Sequence, residues 1–138
     1  FAIPDDANVE YVYDGLMALG AEACMDTIDA IIDGDGHVAS SPQIVAADDI
    51  LKPAPKIFKE TCQIDFGKSA TEVYNFVRGL SPAPGAWGIV LSDDNQTEMK
   101  IFSTRKTGTP ADTPPATIKM TKRQLFVATG DEGREGIH

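Results

Sequence analysis

A chain of 138 residues is long enough to bury a core without disulfides or metal ions to staple it. A net charge of −9, taken as a total, argues against a nucleic-acid partner. The apolar runs are far shorter than the roughly 20 residues of a membrane span, so no membrane partner is expected.

The charge is unevenly spread. Residues 1–50 hold eleven carboxylates and no Lys or Arg, whereas residues 51–138 hold twelve basic residues against ten carboxylates, a balance of +2. Such asymmetry implies two parts with different tasks, divided near Asp49. Cys24 and Cys62 stand alone, without C-x-x-C spacing or a nearby His, and define neither a zinc site nor a disulfide framework. With no basic segment and apolar run at the start to act as a signal peptide, a reducing cytoplasmic setting is the expectation.

In chain order, residues 1–4 read as the end of a strand closed by Pro4. Asp5 to Asn8 offer capping side chains for a first helix, marked by Val12, Leu16 and Leu19 and broken at Gly20. A second helix over 21–32 places Cys24, Met25, Ile28, Ile31 and Ile32 at helical spacing, with Gly34 or Gly36 supplying the positive φ of its stop. Two such helices cannot bury their apolar faces on each other alone, so a sheet elsewhere is expected to cover them. The DGDGHV stretch puts Asp33, Asp35, Gly36 and Val38 at positions 3, 5, 6 and 8 of a calcium loop. Position 1 would be Ile31 and position 12 Pro42, and neither can ligate, which leaves a helix-stop turn as the better reading.

Residues 38–55 lack periodicity and read as a linker. Ser69 and Glu72 form a capping box, Val73, Phe76, Val77 and Leu80 an apolar stripe, and Pro82 and Pro84 a stop, so a helix is predicted over 70–79. The period then changes to alternation. Trp87, Ile89 and Leu91 share one strand face before the turn Ser92 to Asn95. Met99 and Ile101 share a face with Lys100 and Phe102 opposite, Thr107 to Pro115 reads as a loop, and Ile118 to Met120 and Leu125 to Val127 are two further strands. Closely spaced strands of this kind predict a small barrel or meander, and the terminal DEGREGIH shows no strand pattern.

No catalytic constellation is visible. His37 and His138 have no nucleophile or carboxylate placed to make either a base, and neither a P-loop nor GxGxxG is present. The carboxylates of the first fifty residues read as the wet faces of helices. The basic residues are the remaining candidates: Lys52, Lys56 and Lys59 near the linker, Arg78 on the helix, and Lys100, Arg105, Lys106, Lys119, Lys122 and Arg123 on strands and loops. They form either a phosphate-contacting surface or ordinary solubilising charges. Trp87 and Phe102 offer rings that can stack on bases or pack in the core.

The helix segment VEYVYDGLMALGAEACMDTIDAIIDG, the turn APKIFKETCQIDF, the segment VYNFVRGLSPAPGAW, the strand KIF and the ending LFVATGD together resemble the C-terminal half of the methionyl-tRNA formyltransferases. Most specific is Ile64-Asp65-Phe66 followed by Arg78-Gly79-Leu80 and the exit through Pro82, Pro84, Ala86 and Trp87. The resemblance implies an α+β chain. Residues 1–43 would be closing helices of a Rossmann-like formyltransferase domain, 44–55 a linker, and 56–138 an OB-like antiparallel barrel on the tRNA side, with the end at 128–138 left unassigned. It also implies transfer of formyl from 10-formyltetrahydrofolate to the amino group of initiator methionyl-tRNA by a monomeric enzyme that needs no metal. The family's catalytic Asn, His and Asp and its S-L-L-P loop fall before Phe1, so this chain is expected to be inactive alone and to contribute tRNA binding. Where the family continues with a further strand and an L-Q-x-x-G-K-K run, this chain has EGREGIH, which predicts an incomplete barrel. Carried over by position, Lys56, Lys59 and Arg78 are expected tRNA contacts, with Arg78 alternatively pairing a carboxylate such as Asp65; Lys100 and Lys119, from the basic residues of the strands, complete the expected set. Two alternatives stay open: a formyltransferase of the same fold acting on an amino-sugar nucleotide, and a stand-alone OB-like module binding single-stranded nucleic acid.

Overall fold

The computed structural model describes residues 1–45, 53–92, 95–130 and 135–137, the last three by their backbone alone. Lys52, the division near Asp49, the middle of the Ser92 to Asn95 turn, His138 and half of the tail lie outside the described residues. The chain is α+β, and it divides into two units: residue 1 with 13–56, and residues 2–12 with 57–138.

Where two helices are predicted, one runs unbroken: α1, Val9–Asp33. Asn8 caps it, its Oδ1 accepting from the Tyr11 N–H at 3.1 Å. Gly20 does not end it. A lone glycine costs a helix interior only about 1 kcal/mol relative to Ala, and Leu16, Met17, Ala18, Leu19, Ala21 and Glu22 on either side are strong helix formers. What does end it is a Schellman turn, in which Gly36 N–H donates to Ile31 C=O (2.8 Å) and Asp35 N–H to Ile32 C=O (3.3 Å). Asp35 at φ +48° and Gly36 at φ +87° carry the left-handed turn, so the DGDG segment is fully used as a helix stop. No residue of α1 is buried, and Leu16, Met17, Met25 and Ile32 are each more than half exposed. Residues 1–4 do not form the expected strand.

The second unit is built on α2, Ala70–Gly79, which matches the predicted helix at both ends. Ser69 Oγ accepts from the Glu72 N–H at 3.2 Å, and Glu72 Oε2 accepts from the Ser69 N–H at 3.1 Å, closing the capping box. The inward stripe Ala70, Val73, Val77 and Leu80 packs with Cys62, Ile64, Ala86 and Val127 into one core. The exit is tied down by Ser81 Oγ donating to Val77 C=O (2.8 Å) and Gly85 N–H donating to Leu80 C=O (2.8 Å), across cis bonds before Pro82 and Pro84.

Two antiparallel sheets follow. One is the hairpin β1, Ala86–Ser92, and β2, Asn95–Ile101, paired from Ala86↔Ile101 to Ser92↔Asn95. The other has four strands in the order β3-β6-β5-β4: β3 Lys106–Pro110, β4 Ile118–Met120, β5 Leu125–Ala128 and β6 Glu135–Ile137. The predicted barrel does not close among the described residues. Two strands fall where none is predicted, since β3 occupies the start of the Thr107 to Pro115 stretch and β6 the DEGREGIH tail. Neither has an alternating apolar pattern, and β6 is held by main-chain pairing on both sides, at Val127↔Ile137 and Lys106↔Ile137. In the hairpin, the inward positions are the small residues Ala86 and Gly88, while Ile89 and Leu91 face out, 48% and 70% exposed. The Phe66 ring explains the inversion, because a Cβ on Gly88 would already touch it at 3.4 Å. Gly130 closes the unit: its N–H donates to Lys68 C=O at 2.9 Å, and a Cβ there would collide with the Gly67 carbonyl oxygen.

Replacing Val77, which is fully buried, by Ala is expected to destabilise the second unit by about 2 kcal/mol in chemical denaturation. Ser69→Ala should cost about 1 kcal/mol at neutral pH. The hydrogen bonds from Ser69 hold the Glu72 carboxyl below its ordinary value of 4.5, so the part of the cap that depends on that carboxylate is present above that value and lost as pH falls through the lowered one, while the bond from the Glu72 N–H to Ser69 Oγ remains. The stability gap between wild type and Ser69→Ala should therefore narrow in acid; a gap unchanged by acidification would refute the linkage.

Candidate nucleic-acid interface

Lys59 begins a single 3₁₀ turn, Glu60–Cys62, whose shape is set by Thr61: its Oγ1 donates to Phe58 C=O (2.8 Å) and accepts from the Phe58 N–H (3.2 Å). The Lys59 carbonyl takes two donors, Cys62 N–H at 3.0 Å and the Trp87 indole Nε1–H at 2.8 Å, which fastens the turn to the hairpin. The Lys59 ammonium is 5.3 Å from the centroid of the Trp87 ring and 2.7 Å from Glu98 Oε2. Register puts Lys100 directly opposite Trp87 and Glu98 opposite Ile89, so all four side chains share one strand face, on which Trp87 is half-buried and also packs against the core. Lys100 Nζ donates to the Pro84 carbonyl at 2.9 Å.

Arg78 is held differently. Its Nε donates to Asn75 Oδ1 (2.8 Å) and its Nη1 to the Ala7 carbonyl (2.9 Å), with the guanidinium 5.5 Å from the Tyr74 ring centroid. Asp65, the carboxylate expected as its alternative partner, accepts instead from the Gly67 N–H at 2.9 Å. Lys106 approaches the same Tyr74 ring at 5.8 Å. Beside them is a recess of about 410 Å³ lined by Asp6, Tyr11, Tyr74, Arg78, Phe102 and Thr104. The Thr104 hydroxyl oxygen is buried without a hydrogen-bond partner among the described residues.

Of the remaining candidates, Lys119 on β4 pairs with Asp112, and its hydrogen bond holds the Asp112 carboxyl below the usual carboxylate range. Lys56 is exposed and belongs to the first unit. Arg105, Lys122 and Arg123 are also exposed. The structure therefore gathers Lys59 and Lys100 on one face and leaves Arg78 and Lys119 on other elements. It also adds two groups not predicted as partners. Glu98 lies 39 residues from Lys59, and only the hairpin register brings it there; Tyr74 meets Arg78 one turn on along α2 and Lys106 from β3. Among the described residues no cluster of three His, Cys, Asp or Glu is arranged to hold a metal, and no helix is long and apolar enough to cross a membrane. His37 is part of the α1 stop, its N–H donating to Gly34 C=O at 2.9 Å.

Residues 56–134 match the family described as "Formyl transferase, C-terminal domain". The methionyl-tRNA formyltransferase of Phocaeicola vulgatus is 43% identical over 105 residues, 75% of this chain and 32% of that protein. That of Bacteroides thetaiotaomicron is 41% identical over 132 residues, covering 94% of this chain and 40% of the relative. That of Bacteroides fragilis is 46% identical over 106 residues, 75% and 32% of the two chains. The chain thus spans about a third to two-fifths of the length of these relatives. With the match covering more than half of its residues, the chain belongs to the formyl transferase C-terminal domain family.

Proposed function

We propose that this chain is the acceptor-binding part of a methionyl-tRNA formyltransferase, holding the backbone of initiator methionyl-tRNA. Formyl transfer from 10-formyltetrahydrofolate then takes place on residues of the parent protein outside this chain. The observation that carries the reading is the family match over 56–134, the same segment that presents Lys59 and Lys100 on one outward face. Phosphate contact needs cations at the surface of a rigid element, and an edge-on hairpin fixed to α2 through the core supplies one. Lys56 and Lys119 are further phosphate contacts, each taken by itself. Arg78, whose guanidinium is spent on Asn75 and the Ala7 carbonyl, acts as a positioning residue rather than a direct contact. We read the two sheets as strands of an OB-like barrel, and α1 as a closing helix of a Rossmann-like domain, for which its exposed apolar side chains are suited. No residue of this chain is assigned to the formyl donor, and the chain alone is expected to transfer no formyl group.

Binding of the full chain to initiator tRNA across a salt series tests this. Lys100→Ala and Lys56→Ala should each weaken binding similarly for all tRNAs and make the dependence of log affinity on log salt shallower by about 1. Absence of salt-dependent tRNA binding by the wild-type chain would sink the assignment, as would turnover of 10-formyltetrahydrofolate by the chain alone.

A further inference from the structure

The Lys59 ammonium is already in use on the face proposed to meet phosphate. Its partner Glu98 stands two residues before Lys100 on the same strand face, so the hairpin sets one carboxylate between two cations beside Trp87. That arrangement works against a surface whose only task is to attract a polyanion, and the geometry gives it another. Both members of the pair are well exposed, with side-chain accessibilities of 62% and 42%, so the bond is made in water and is easily exchanged. The Trp87 ring holds the ammonium from a second direction, and the indole hydrogen bond to the Lys59 carbonyl fixes the turn that carries it. Losing Glu98 therefore leaves Lys59 on the same face.

We propose that Glu98 is a displaceable counter-anion for Lys59: in the free chain its carboxylate holds the ammonium, and on binding a phosphodiester of RNA takes the carboxylate's place while Lys59 stays at Trp87. The proposal deepens the reading above and rests on it. A free anion must compete with a carboxylate tethered at high effective concentration, whereas a phosphodiester of an RNA already held at Lys100 is itself tethered and competes on equal terms. The pair thus discriminates RNA from small phosphates, and Glu98 sets how much of the charge of Lys59 is offered before binding.

The test is a double-mutant cycle on the full chain with initiator tRNA, combined with emission from Trp87, the sole tryptophan. Glu98→Gln should tighten binding about two- to fivefold at low salt and steepen the salt dependence by up to about 1. In the Lys59→Ala background the same substitution should change little. Binding of tRNA should alter Trp87 emission in the wild type, and inorganic phosphate at matched ionic strength should not. An equal gain from Glu98→Gln in both backgrounds would show that Glu98 merely repels RNA, and no gain in either would show that it does not compete; both outcomes overturn the exchange while leaving tRNA binding intact. Emission changes with inorganic phosphate equal to those with tRNA would overturn the discrimination. A wild-type chain that binds no tRNA at any salt takes down both the exchange and the reading on which it rests.

Discussion

The inward stripe of α2 is the constraint on which the second unit depends. Ala70, Val73 and Val77 are sealed from water, and the residues against them come from both sheets and from the segment before the helix: Ala86 from the hairpin, Val127 from the four-stranded sheet, and Cys62 and Ile64 from the approach. A ten-residue helix is too short to be stable alone in water, so the packing that buries this stripe also makes the helix. The capping box and the fastened exit fix where it starts and stops. Its position in turn sets the hairpin, because Ile64 N–H donates to Trp87 C=O at 2.8 Å and brings the strand beside the core with Ala86 and Gly88 inward.

That inward choice determines the functional face. Strands alternate, so placing the small residues against α2 and Phe66 turns Ile89 and Leu91 outward, and pairing puts Glu98 and Lys100 with them, beside a half-buried Trp87 that also packs against the core. A one-residue slip in register would exchange the two faces and bury Lys100. The cationic face is therefore a consequence of close packing on the other side of the same two strands, and the indole-to-carbonyl bond at Lys59 adds the third element to it.

How much of this was legible depended on whether the deciding interactions were local. The bounds of α2 could be read because capping box, stripe and prolines all lie within sixteen residues of one another, and the α1 stop because a glycine able to take positive φ directly follows the apolar stripe while Ile31 and Pro42 leave a calcium loop without its end ligands. The hairpin strands were recognisable from alternation. Which face of β1 is buried was not, because Ala86 and Gly88 are inward through the approach of Phe66 from a distant segment, and hydrophobicity pointed the other way. Gly20 misled for a related reason: flexibility alone does not stop a helix when strong helix formers lie on both sides. Strand β6 carries Glu135 and Gly136 and is defined by the main chains of its two neighbours, a property no side-chain pattern records. The basic residues could be named as candidates, but their grouping could not, since Lys59, Trp87, Glu98 and Lys100 meet only through register and through one indole bond.

The overall charge of the chain is a poor guide to what its surface can bind. Coulomb interactions between exposed groups fall away within a Debye length of roughly 8–10 Å at ordinary ionic strength, so a phosphate on the hairpin senses first its immediate neighbours there, Lys59, Lys100 and Glu98. Locally the balance is two cations to one anion, and because that anion is tied to one of the cations, the face changes character when the tie is exchanged. Charge on such a surface is thus a property of the pairings made at a given moment, and the residue that best controls it is the acidic one.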